Sequence, residues 1–238
     1  MLDFTIYKFL AAAFTPEFTI SSSLKIANCV ADILGKYVGE EPTILPVPKE
    51  APGELPRIIF SSPDKKWSLN LSPERTNLFF NIAPTSAKNE VTLDEFSSIA
   101  SEFFVNYQKA FNLRIQRNAL VTERSTIRDD ALFFILDRFC NKEQTEKGKP
   151  FYKAKRFEIH SFRKYDWETF NLNSWVRIKF APIKNEDGDF VPAMLVTNDL
   201  NTYSLDEAPE AAFSEEEIDS FYKKITQHLH EILKLYFS

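Results

Sequence analysis

The chain has 238 residues, 44% hydrophobic and 26% charged, with a net charge of −5, 13 Pro and only 5 Gly. These proportions describe a folded chain with enough apolar surface for one large domain or two small ones packed together. They exclude disorder, collagen-like repeats and a disulfide scaffold.

The chain opens MLDFTIYKFLAAAF, with Asp3 and a single Lys in place of the basic head of a signal peptide, and Phe4 to Phe9 alternate as a strand. A helix follows over Ser22 to Tyr37, with Gly35 and Gly39 placed to end it. Glu40 to Pro56 holds Pro42, Pro46, Pro48, Pro52 and Pro56 and reads as an extended surface connector. Three strands come next, Arg57 to Ser61, Trp67 to Leu71 and Asn77 to Ile82. Ser62-Pro63-Asp64 and Ser72-Pro73-Glu74 separate them, since Pro fixes a turn and cannot join a ladder. Thr92 and Glu95 have capping-box spacing, and Phe96, Ile99, Ala100, Phe103, Phe104 and Tyr107 then recur at three- and four-residue steps, predicting a helix over 92–112.

The second part repeats this order. Leu113 to Glu123 reads as a strand, Arg128 to Asn141 as a short helix, and Arg156 to Phe162, Ser174 to Phe180 and Phe190 to Thr197 as strands. Asp187-Gly188 is a hairpin signal, because both positions tolerate positive φ. Ser214 and Glu217 repeat the capping box before Ile218, Phe221, Tyr222, Ile225 and Leu229, predicting a C-terminal helix. The expected fold is therefore α+β, with two tandem β-α-β-β-β-α halves, 1–112 and 113–238, in one body. Their strands would form a curved, mostly antiparallel sheet with the long helices on one face, similar in shape to helix-grip and TATA-binding-protein-like folds.

Chemical motifs are few. No Gly-rich phosphate loop, C-x-x-C, H-E-x-x-H or G-x-S-x-G is present, so nothing calls for a cofactor or a metal. His228 and His230 lie two apart on a helix and point apart, one to solvent and one to the core edge. Asn185 to Asp189 lacks the alternating ligands and closing Glu of a calcium loop and reads as a hairpin tip. Cys29 and Cys140 are expected to be buried and reduced. No apolar run approaches the roughly 20 residues of a membrane span, so a cytoplasmic protein without membrane contact is expected.

Charge is uneven along the chain. Residues 114–184 hold 16 Lys and Arg against 9 Asp and Glu, whereas 185–238 hold 3 against 12. In the strand at 174–180, alternation turns Val176, Ile178 and Phe180 toward the helices and leaves Trp175, Arg177 and Lys179 together on the opposite face. Arg114, Gln116 and Asn118 have the same phase on the strand at 113–123. Arg and Trp side by side are what a protein-binding hot spot contains, and basic groups with an aromatic are also what phosphate contact and base stacking need.

The run Leu55-Pro56-Arg57-Ile58-Ile59-Phe60-Ser61-Ser62-Pro63-Asp64, with Trp67-Ser68-Leu69-Asn70-Leu71 and Leu78-Phe79-Phe80-Asn81, resembles the central meander of a sporadically distributed family of uncharacterised bacterial proteins of similar size. Glu216-Glu217-Ile218, His228-Leu229-His230-Glu231 and Phe237 are similar to that family's closing helix. Its usual opening, a short Pro-Val strand, is replaced here by Phe4 to Phe9. The resemblance implies no activity. Its patchy distribution implies carriage on mobile or defence-associated gene clusters, and hence work with neighbouring proteins.

Three functions fit these residues. The first is a non-catalytic subunit or regulator that binds another protein through the open sheet face, at Trp175, Arg177, Lys179 and Arg114. The second is nucleic-acid binding along the same face. The third is a small-ligand site or enzyme with His160, Tyr165 and Asp166 at the mouth of a cavity between sheet and helix.

Overall fold

Strands whose apolar residues recur at every second position need one sheet face covered, and the two long amphipathic helices are the elements able to cover it. The computed structural model describes residues 3–15, 23–48, 50–86, 90–185, 187–204 and 206–237, and has an α+β architecture. Its strands are β1 (Thr5–Phe14), β2 (Thr43–Ile44), β3 (Ile58–Ser61), β4 (Trp67–Leu71), β5 (Arg75–Asn81), β6 (Arg117–Ile127), β7 (Glu158–Trp167), β8 (Phe170–Lys184) and β9 (Phe190–Thr202). They form one open antiparallel sheet in the order β2-β3-β4-β5-β1-β6-β9-β8-β7. The helices are α1 (Ser23–Leu34), α2 (Leu93–Phe111), α3 (Ala131–Phe139) and α4 (Glu215–Phe237). None of them is long and apolar enough to cross a membrane. Ser22 and Glu186, on which a helix start and a hairpin tip were expected, lie outside the described residues.

Both long helices begin where the capping pattern places them. In α2 the Thr92 Oγ1 accepts from the Glu95 N–H at 3.2 Å and Glu95 Oε2 accepts from the Thr92 N–H at 2.8 Å. In α4 the Glu217 carboxylate accepts from the Ser214 N–H at 2.8 Å, and Ser214 Oγ accepts from the Glu217 N–H at 3.3 Å. The two helices run antiparallel and are joined by Ser97 Oγ donating to the Tyr222 carbonyl and by Ser101 Oγ donating to Asp219 at 2.7 Å. Phe96 stacks on Phe9 of β1 at 5.1 Å and on Trp67 of β4 at 5.8 Å, so one ring ties α2 to two strands. Tyr222 lies over the sheet centre, its hydroxyl donating to the Ala12 carbonyl at 3.0 Å.

Several elements differ from expectation for local reasons. Strand β1 runs on to Phe14, and a bulge between Ile6 and Lys8 resets its alternation, so that Ile6 and Phe9 are both buried. Strand β6 starts at Arg117, later than expected, because Leu113 and Ile115 are buried in the segment that leads from α2 into the sheet. Strands β7, β8 and β9 extend past their expected ends. The Pro-rich connector contributes the two-residue strand β2 at one sheet edge. Gly188, at φ +87°, turns the β8–β9 hairpin. Cys29 and Cys140 are unpaired and only partly buried, a correction to the expectation of fully buried thiols.

Among the described residues one buried side chain is charged. Arg124 of β6 is 1% exposed; its guanidinium donates to Thr122 and, at 3.0 Å, to Asn198 Oδ1, while Nη2 has no hydrogen-bond partner. Burial pushes its pKa down to about 10.

Candidate functional site

The face of the sheet opposite the helices holds the cluster read from the sequence. On β8, Val176 and Ile178 are buried on the helix side, Arg177 and Lys179 are exposed, and Trp175 is half-buried. Antiparallel register sets Phe162 of β7 beside Trp175, His160 beside Arg177 and Glu158 beside Lys179. The Phe162 and Trp175 rings stack at 4.3 Å, with Arg177 5.7 Å from the Trp175 ring centre and Lys164 5.9 Å from that of Phe162. Phe162 is 43% exposed, which makes this stack an apolar spot open to solvent and rimmed by cations.

The other neighbours of Trp175 are polar and partly acidic. On β9 the residue opposite Trp175 is Asp199, and the one opposite Arg177 is Thr197. Asp199 Oδ1 accepts from Asn201 Nδ2 at 2.8 Å, and Asn201 Oδ1 accepts from Arg117 Nη2 at 2.6 Å. Arg117 also lies 4.7 Å over the Phe14 ring. Burial lowers its pKa, an effect that the Asp199 and Glu207 charges partly offset. Across the face, Glu123 accepts from Lys8 at 2.6 Å and from the Tyr7 hydroxyl at 2.8 Å. Burial raises the Glu123 pKa, but these two hydrogen bonds, with the Lys8 charge, carry it below the ordinary value. The sum is a mixed surface: basic and aromatic around Trp175, with carboxylates at Asp199, Glu123 and Glu158.

Arg114 does not join this cluster. It precedes β6 and lies 3.8 Å from Glu210, while Gln116 and Asn118, expected on the open face, are buried. Because β6 takes the opposite phase, Arg117 is the basic residue it brings to the open face. The charge polarity along the chain also folds back on itself, since Arg114 pairs with Glu210 and Lys164 with Glu207. Glu207 further accepts from Asn173 at 2.9 Å and from the Ser204 N–H at 2.9 Å. Led by Lys164, these bonds hold its carboxyl down to about 2.

That carboxyl gives a pH signature. Its folded pKa lies below the unfolded value of 4.5, so its contribution to stability is complete above pH 4.5 and is lost as pH falls toward about 2. Urea midpoints measured across this window are expected to separate wild type from Glu207→Gln above pH 4.5 and to converge below it.

His160, Tyr165 and Asp166 do not converge on a cavity. His160 lies on the open face with Glu158 at 2.7 Å, whereas Tyr165 points to the helix face and its hydroxyl meets His228 Nε2 at 2.8 Å. The His228 ring stacks on Trp167 at 4.8 Å, and its Nδ1 is 3.5 Å from Glu231. Spacing alone could not reveal this contact, because it joins an edge strand to α4. Beside it, about 480 Å³ of groove opens between β7 and α4. Among the described residues no group of three or more His, Cys, Asp or Glu is placed to hold a metal ion. No protein-family model matches the chain, and no curated protein matches it in sequence.

Proposed function

We propose that this chain is a non-catalytic binding subunit or regulator that recognises another protein through the open face of its sheet. The observation that carries this reading is the solvent-facing Phe162–Trp175 stack with Arg177 and Lys164 around it. A partner that inserts an apolar side chain at the stack and sets carboxylates against Arg177, Lys179 and Lys164 matches its chemistry. A phosphate track fits less well, because Asp199, Glu123 and Glu158 lie among the cations and would repel it.

In the same reading the chain is built of two β-α-β-β-β-α units, 1–112 and 113–238, in one body resembling TATA-binding-protein-like shapes. Support comes from matching pairings: β1 joins β5 in the first unit, β6 joins β9 in the second, and β1 and β6 meet at the middle. A cytoplasmic location and service in a mobile or defence-associated complex complete the proposal; these last two features rest on the sequence reading and on the family resemblance.

Tagged protein purified at low salt from its source cells, with nuclease treatment, tests the proposal. A second protein retained after nuclease is the expected result. Recovery of the chain with no other protein, or loss of the partner once nucleic acid is digested, would overturn it.

A further inference from the structure

The two ends of the sheet are treated differently. At one end the edge strand β2 has two residues and sits in a connector interrupted by Pro42, Pro46, Pro48, Pro52 and Pro56, which blunts it against pairing. At the other end β7 has ten residues, contains no proline and, among the described residues, pairs with β8 alone. Its outward groups can be assigned. The Phe157 carbonyl accepts from the Phe180 N–H at 3.3 Å, so Phe157 and the odd-numbered residues after it turn their N–H and C=O groups toward β8. Glu158, His160, Phe162, Lys164 and Asp166 therefore present theirs to the open edge, and their side chains lie on the open sheet face.

Along that face the order from Glu158 is Glu, His, Phe, Lys, Asp at alternate positions, and Arg156 stands two residues ahead of the strand in the same spacing. Reversed, this order is complementary to itself. From these observations we infer that β7 pairs antiparallel with β7 of a second copy, about a two-fold axis through Ser161, and joins the two sheets into one.

In this register Glu158 faces Lys164 of the second copy and Arg156 faces Asp166, each pair occurring twice by symmetry, while His160 faces Phe162. The pairs Glu158–Lys164 and His160–Phe162 are those whose backbone groups point outward, as a hydrogen-bonded ladder requires. Neighbouring registers fail on charge. An axis on Phe162 opposes Glu158 to Asp166, and an axis on His160 opposes Arg156 to Lys164. Opposite charges directly across an antiparallel pair stabilise it and like charges destabilise it, so the pattern selects one register.

The helix layer supplies an independent contact. Tyr236 donates to Ser161 Oγ at 2.7 Å, which places the last turn of α4 at the axis. Next to it Leu235 is 63% exposed at the rim of the groove lined by Tyr165, His228 and Ile232. A second copy would cover Leu235 with its own α4. This pairing uses the β7 edge and α4; it shares Phe162 and Lys164 with the surface proposed for the partner, and its test reads self-association alone.

Sedimentation equilibrium of the full chain tests it, with wild type expected to be dimeric at micromolar concentration. Glu158→Lys sets Lys against Lys164 twice and is expected to raise the dimer dissociation constant at least about tenfold, as is Lys164→Glu. The combined swap, Glu158→Lys with Lys164→Glu, restores opposite charges and is expected to return dimerisation to within about threefold of wild type. Circular dichroism and thermal melts report the fold of each variant, and the restored dimer of the swap separates lost pairing from lost folding. A wild-type protein that stays monomeric up to about 100 µM, a dimer indifferent to Glu158→Lys, or a swap as weak as the single variants would overturn the inference.

Discussion

Replacing Phe96 with Ala is expected to cost about 3–5 kcal/mol of unfolding free energy, at the upper end for truncation of a single core side chain. Phe96 is fully buried, and its ring touches Phe9 of β1 and Trp67 of β4, which lie on either side of β5 in the sheet. Removing it deletes the apolar contact and leaves a cavity between helix and sheet that rigid neighbours cannot fill. A domain stable by about 5–15 kcal/mol would lose a large share of that margin. Urea unfolding followed by circular dichroism reads the effect as a lower midpoint at unchanged slope. Phe133, 70% exposed on α3, is the control, and Phe133→Ala is expected to stay within about 0.5 kcal/mol of wild type. A loss below about 1 kcal/mol for Phe96→Ala would contradict the packing described for α2.

What could be read from the sequence follows the range of the interactions involved. Helices α2 and α4 were legible to within a residue at their starts because Thr92 with Glu95 and Ser214 with Glu217 fix a helix end through local bonds. The phase of β8 was legible for a similar reason, since Val176 and Ile178 alternate strictly with Arg177 and Lys179. Strand β6 was not. Leu113 and Ile115 imitate the alternation of a strand but are buried ahead of it, and this exchanged Arg114 for Arg117 on the open face. The Phe162 partner of Trp175 and the His228 partner of Tyr165 depend on how β7 is registered on β8 and where α4 crosses it. Such contacts are tertiary, and no pattern within one element encodes them.

Replacing Trp175 with Ala is expected to weaken binding of the protein partner by about 30-fold to 1,000-fold, corresponding to about 2–4 kcal/mol. Trp175 is the larger ring of the stack, neighbours Arg177, and sits between the cations of β7 and β8 and Asp199 of β9. Truncating it removes the surface on which an apolar side chain of the partner would rest, and leaves Phe162 without the ring it stacks on. The fold should register the change weakly, by about 1 kcal/mol, because Trp175 is half-buried on the open face and lies outside the helix-covered core. Leu235→Ala, on the opposite face, is expected to leave partner affinity within about threefold of wild type.

Titration calorimetry of the purified partner with wild type, Trp175→Ala and Leu235→Ala, each verified as folded by thermal melting, addresses the binding surface without intermediaries. Affinity is expected to fall by at least about 30-fold for Trp175→Ala and to stay near wild type for Leu235→Ala. Equal affinity of wild type and Trp175→Ala, with both proteins folded, would contradict a binding surface centred on the Phe162–Trp175 stack.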